Sequence, residues 1–186
     1  MRFRLIFLNL WLYSLWAETP LPEKLKEILA RSLQSSFTAN FNLTASDGYT
    51  TSGKIYYQYP NKLHIRTSDG RIVATNGVYL WLYNPSTGVC AKQEVSGSSG
   101  GLLSLLNQYE IQERGSSYVL HNAQAYFEEI IITLNNQVLT SLKMRHREHI
   151  LHFTFSQVEL GSGIKASLFN YKPPAHVQVI ENPLKP

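Results

Sequence analysis

The chain has 186 residues, 44% of them hydrophobic and 16% charged, with 11 tyrosines and a formal charge of +4. That length accommodates one domain with a substantial core. A charged share well below the usual quarter fits an extracytoplasmic β-protein better than a cytosolic enzyme, and the scattered basic residues lack the clustered footprint of a nucleic-acid binder.

In chain order, Arg2 and Arg4 precede an apolar run from Leu5 to Ala17, interrupted by Asn9 and Ser14. A basic start and an oily stretch shorter than the roughly 20 residues of a membrane span predict a signal peptide over residues 1–17, cut near Ala17. No Cys follows the run, so the chain itself is not expected to be lipid-anchored by the bacterial route. The leader holds two of the 17 basic residues and none of the 13 acidic ones, so its removal leaves 15 against 13, a net +2.

Residues 20–34 carry the long helical pattern: Leu21, Leu25, Ile28, Leu29 and Leu33 recur at three- and four-residue intervals opposite Lys24, Lys26, Glu27 and Arg31. Pro22 and Glu23 suit its first turn. Such a stripe must be buried, and the concave face of a sheet is the receiver expected for it.

Alternation of period two then takes over. Phe37, Phe41, Leu43 and Ala45 alternate with polar residues up to Asp47-Gly48, and strands are predicted over 53–59, 62–67, 71–75 and 78–83, with 88–95 as the return. Turns fall at Pro60-Asn61, Ser68 to Gly70 and Asn76-Gly77. Ile55, Leu63, Ile65, Leu80 and Leu82 form an apolar face, while Tyr56, Tyr79, Trp81 and Tyr83 crowd the opposite one. A sheet clad on both sides implies a packed layer on one face and a cavity or covering helix on the other. Asn42-Leu43-Thr44 matches a glycosylation sequon, a three-residue pattern common by chance. Cys90 stands alone in a strand, a small buried residue rather than half of a disulfide.

Residues 96–101, SGSSGG, have hinge composition. They lead into Leu102, Leu103, Leu105 and Leu106, a short helix oily nearly all round, which fits either a lid over an apolar cavity or an ordinary core helix behind a slack loop. Strands are predicted again over 109–114, 117–122, 125–134, 137–146, 149–158 and 164–170. Pro173-Pro174 bars a regular strand where it stands, leaving Val177 to Ile180 as a terminal edge segment. About eleven strands and two helices make an α+β layout dominated by one curled antiparallel sheet.

Chemical motifs are scarce. The chain has no glycine-rich phosphate loop, CxxC, HExxH or G-x-S-x-G elbow. His146, His149 and His152 are three apart, a spacing that in a strand divides them between faces and fits solvent or local hydrogen bonds better than zinc. Lys143 to Arg147 reads as a solvated hairpin end. Adjacent Glu128 and Glu129 face opposite sides of a strand, so they are not a glycosidase pair. Glu128 is in register with Tyr126, Ile130 and Ile132, so either it lies inside with a partner or the strand begins later and leaves it at the wet rim, the simpler arrangement.

Leu33 to Phe41, Gly53 to Tyr56, Tyr59 to Leu63, Asn76-Gly77 followed by Leu80 to Pro85, and Phe169 to Val177, in that order and spacing, resemble the outer-membrane lipoprotein carrier protein family, LolA. The resemblance covers essentially residues 18–186. It implies an unclosed half-barrel covered by a long N-terminal helix and a short lid helix, acting without cofactor or metal as a non-enzymatic, monomeric periplasmic carrier. It further implies acylated lipoproteins as cargo, an ATP-driven inner-membrane release complex as donor and an outer-membrane receptor lipoprotein as acceptor. By the same resemblance, Ile55, Leu63, Ile65, Leu80, Leu82, Phe37 and Phe41 would form the acyl cavity wall. Leu102, Leu103, Leu105 and Leu106 would be the lid, and Leu25, Ile28, Leu29 and Leu33 the covering helix. The sequence departs at Tyr59, where many family members have an Arg that latches the lid; a phenol lacks that charge and fork. The alternatives are another amphiphile (a glycolipid or polyprenyl lipid) or sensing of mislocalised lipoproteins on the same fold, a filled structural module, and, least favoured, a hydrolase.

Overall fold

A computed structural model describes residues 36–95, 106, 108–136, 138–161 and 163–183. The expected leader, the N-terminal helix with Leu25, Ile28, Leu29 and Leu33, and the lid leucines 102, 103 and 105 lie outside the described residues. Twelve strands are described: β1 (Ser36–Ala45), β2 (Thr50–Gln58), β3 (Lys62–Thr67), β4 (Ile72–Thr75), β5 (Tyr79–Asn84), β6 (Val89–Glu94), β7 (Glu110–Arg114), β8 (Ser117–His121), β9 (Glu129–Asn135), β10 (Val138–His146), β11 (His149–Leu160) and β12 (Gln178–Glu181). They form one unclosed sheet in the order β12-β6-β5-β4-β3-β2-β1-β11-β10-β9-β8-β7. Every pairing is antiparallel, including β1 with the distant β11, except β12 on β6, which is parallel.

The inner face is set by register. One cross-strand row holds Phe37, Tyr57, Leu63, Thr75 and Leu80; the next holds Ala39, Ile55, Ile65, Val73 and Leu82; a third holds Phe41, Gly53 and Thr67. Gly53 is required there, since a Cβ would lie 2.2 Å from the Arg66 carbonyl oxygen and 2.8 Å from Phe41 Cζ. At the β4–β5 turn Gly77 has φ +90°, a conformation that disfavours side chains, and Asn76 Oδ1 accepts hydrogen bonds from the amides of Val78 and Tyr79, each at 2.9 Å. On the other half of the sheet, Leu43, Leu120, Ile130, Ile132, Met144, Leu151 and Phe153 make the largest core cluster, against which Leu106 packs.

The aromatic second face is covered by the C-terminal segment. Val177 is buried with Ala74, Trp81 and Cys90, and Tyr171 packs on the same group. The Tyr171 ring lies 6.1 Å from Tyr83 and 6.4 Å from His64. Here the strand predicted over 164–170 is corrected. Ala166–Phe169 is one 3-10 turn, and of it only Phe169 is deeply buried, at 1% exposure. A segment that plugs a face with one side chain needs no pleat. The strand predicted from 125 begins at Glu129, because Asn122 and Ala125 close a turn and Gln124 N donates to Asn122 Oδ1 at 2.9 Å. Phe127 therefore enters the core, Tyr126 stacks on His146 with ring centroids 4.1 Å apart, and Glu128 sits at the rim, accepting from Arg147 N at 3.1 Å. His149 pairs opposite His146 in the hairpin, and His152 Nε2 contacts Ser141 Oγ at 2.9 Å. Cys90 is fully buried, which pushes its thiol pKa up.

Candidate functional site

Strands β1 to β5 and β11 curve around a half-open hollow of about 420 Å³ on the inner face. Its floor is Phe41, Leu43, Ile65, Val73, Leu82 and Phe153; Thr51, Thr67, Asn84 and Ser86 edge it, with Tyr49 and Arg71 at the turns. A cavity of ~150 Å³ holds benzene, roughly 25 Å³ per carbon, so about 420 Å³ accommodates on the order of sixteen chain carbons.

Side-chain size varies along the inner face. In the first row Phe37 and Tyr57 fill the sheet's curvature with rings 5.5 Å apart, and with Ala39 and Leu63 they form a closed cluster. Burial pushes the Tyr57 phenol pKa well up, with Tyr59 adding to the rise, and its Oη donates to the Pro60 carbonyl at 3.3 Å. Two rows along, the Phe41 ring lies over Gly53, where a Cβ would come within 2.8 Å of it, and Phe41 and Thr67 join the lining of the hollow.

Of the seven expected wall residues, Phe41, Ile65 and Leu82 line this hollow. Phe37 and Leu63 belong to the closed cluster, Ile55 packs against both clusters, and Leu80 is 1% exposed beside fully buried Thr75. Tyr59, at the expected gating position, is 55% exposed. Sequence reasoning missed Leu43, though its alternation grouped it with Phe41, and Val73, for which no face was read. It also missed Tyr49 and Arg71, which only the approach of two turns brings together.

Arg71 is the one charged side chain among the lining residues described. Its Nη1 donates to Tyr49 Oη at 3.1 Å, its Nε lies 3.1 Å from Asp69 Oδ2, and the guanidinium carbon is 5.6 Å from the Tyr49 ring centroid. Thr67 Oγ1 donates to the other Asp69 oxygen, fixing the carboxylate. The described lining includes no Asp, Glu, His or Cys, and its one serine, Ser86, donates to Asn84 Oδ1 at 2.8 Å. The described lining is thus mostly apolar, and it sets no base beside its serine.

The family model described as outer membrane lipoprotein carrier protein LolA matches residues 32–172. A relative from Methylococcus capsulatus, named outer-membrane lipoprotein carrier protein, is 24% identical over 194 residues, spanning 92% of this chain and 93% of its own. Among solved structures, an uncharacterized conserved protein from Thermus thermophilus superposes with TM-score 0.59 at 10% identity, covering 85% of this chain and 99% of that one. This last likeness is one of fold.

Proposed function

The chain belongs to the LolA family of outer membrane lipoprotein carrier proteins, and from that premise we propose that its inner-face hollow sequesters an acyl chain of a lipoprotein during passage through the periplasm. The observation that carries this is the half-open, apolar-floored cavity of about 420 Å³, matched in size to one long chain. Each methylene withdrawn from water is worth about 0.8 kcal/mol, so a sixteen-carbon chain has on the order of 12 kcal/mol to lose by crossing water bare. A carrier offsets most of that only if its cavity is oily, and releases the chain only if the cavity is reachable. Both conditions are met by a floor of Phe, Leu, Ile and Val with an open side. The family's partners would then act on this protein as well: an ATP-driven inner-membrane complex as donor and an outer-membrane receptor lipoprotein as acceptor.

The test is transfer. Protein purified from its native host is expected to carry lipoprotein detectable by proteomics and lipid mass spectrometry, and to pass a fluorescent lipopeptide to acceptor vesicles in the presence of the receptor. Recovery of non-protein lipid alone, with no lipopeptide transfer, refutes the carrier role and leaves another amphiphile as ligand.

A further inference from the structure

The hollow is graded from an oily floor to a polar mouth, and the mouth carries a guanidinium that the fold holds in place. Arg71 stands opposite Thr67, whose amide donates to the Arg71 carbonyl at 3.0 Å. Asp69 and Tyr49 grip the head at 3.1 Å each, and the Arg71 amide reaches Asp69 Oδ1 at 3.5 Å. A guanidinium has five N–H donors in a rigid fork. These contacts engage Nε and one Nη1 proton, and no other side-chain partner of Arg71 occurs among the described residues. Donors beside an apolar cavity are poised for an acceptor that arrives with the ligand.

The charge balance says which acceptor. Asp69 lies as close to Arg71 as Tyr49 does, so the mouth is a neutral pair rather than a bare cation. A phosphate or carboxylate would meet the Asp69 charge as well as the Arg71 fork, whereas a carbonyl oxygen meets only the donors. Resting on the acyl-carrier reading above, we propose that Arg71 is a cargo-binding residue that donates hydrogen bonds to the ester or amide carbonyl oxygens joining acyl chain to head, with Asp69 and Tyr49 as its positioning residues. The tail then lies over Phe41 and Phe153, and the polar head leaves between the β1–β2 and β3–β4 turns.

The full chain is titrated with three probes: a neutral fluorescent naphthylamine reporter, a dipalmitoylglyceryl-cysteine lipopeptide, and its dihexadecyl ether counterpart lacking ester carbonyls. Wild type is expected to prefer the ester lipopeptide by about tenfold, the worth of one hydrogen bond to a charged donor. Arg71→Met keeps the stem and removes the donors; it should bring that ratio to about one while reporter affinity stays within about twofold. Arg71→Lys, a point charge without the fork, should lose most of the preference too, and decides the matter if the Met variant does not fold. An undiminished ester preference in either folded variant overturns the assignment and leaves the cavity standing. A wild type that binds reporter and displaces it equally with ester and ether overturns it likewise. Tighter binding of phosphatidylglycerol than of the ester lipopeptide, abolished in Arg71→Met, replaces it with an anionic headgroup. Failure of wild type to bind even the reporter removes the acyl-carrier reading, and this one with it.

Discussion

Ile65→Glu separates a cavity wall from an ordinary core. Ile65 lines the hollow, directly between Ile55 on β2 and Val73 on β4. With the hollow empty and open on one side, a carboxylate there keeps much of its hydration, so the folded state should lose about 1–3 kcal/mol. With a chain seated, the same carboxylate must either shed its water or push the chain aside. Displacing about four methylenes costs about 3 kcal/mol at 0.8 each, more than a hundredfold in affinity. Titration with the naphthylamine reporter and the lipopeptide measures the loss, urea unfolding measures the stability, and Ile65→Leu supplies the volume-conserving control. A folded Ile65→Glu variant with both affinities within about threefold of wild type would refute the placement of the chain over β3.

Leu80→Ala should do the reverse: Leu80 is 1% exposed and outside the hollow, so a loss of about 2–5 kcal/mol on urea unfolding is expected, with reporter affinity unchanged. Gly53→Ala drives a Cβ to 2.2 Å from a backbone oxygen; a loss of about 1–3 kcal/mol is expected on urea unfolding, and wild-type stability would mean that β2 and β3 do not pair in this register. Tyr109 is buried and donates to the Phe127 carbonyl at 2.6 Å, and burial pushes its phenol pKa from 10.0 up to about 12. A raised acid pKa means that the unfolded chain loses the proton first. The contribution is therefore intact below pH 10 and falls by up to about 1.4 kcal/mol per pH unit between the two values. Unfolding curves at pH 9, 10.5 and 11.5 should show Tyr109→Phe with a shallower alkaline decline than wild type; equal slopes would clear Tyr109 of that role.

Much of the sheet was legible because period two fixes a side chain's face wherever one face is buried. The boundaries of β3, β5 and β6 were read within a residue, and the two clad faces announced a packed layer on one side and a cavity or covering helix on the other. The identity of that layer was hidden. Residues 166–177 cover the face through isolated anchors, Phe169, Tyr171 and Val177, and isolated anchors leave no periodicity to read. The same absence turned 164–170 into a strand on paper. At 125–128 alternation continued through residues that Asn122 had already committed to a turn, and local hydrogen bonding prevailed over pattern.

The hollow shows what alternation leaves out. Period two and the family resemblance together assigned Phe37, Phe41, Leu63, Ile65, Leu80 and Leu82 to one face, but both are silent about depth along the strands. Depth is decided by which residues stand side by side across the sheet. Where Phe37, Tyr57 and Leu63 share a row they close into a cluster; where Phe41 stands beside Gly53 its ring lies over the glycine, and with Thr67 it lines the hollow. The small residues were in plain view in the sequence, as were Tyr49 and Arg71. They acquire meaning only once register aligns a glycine with a phenylalanine and brings two turns within hydrogen-bonding distance. A void in a sheet protein is thus a property of a row, and a strand read singly contains no rows.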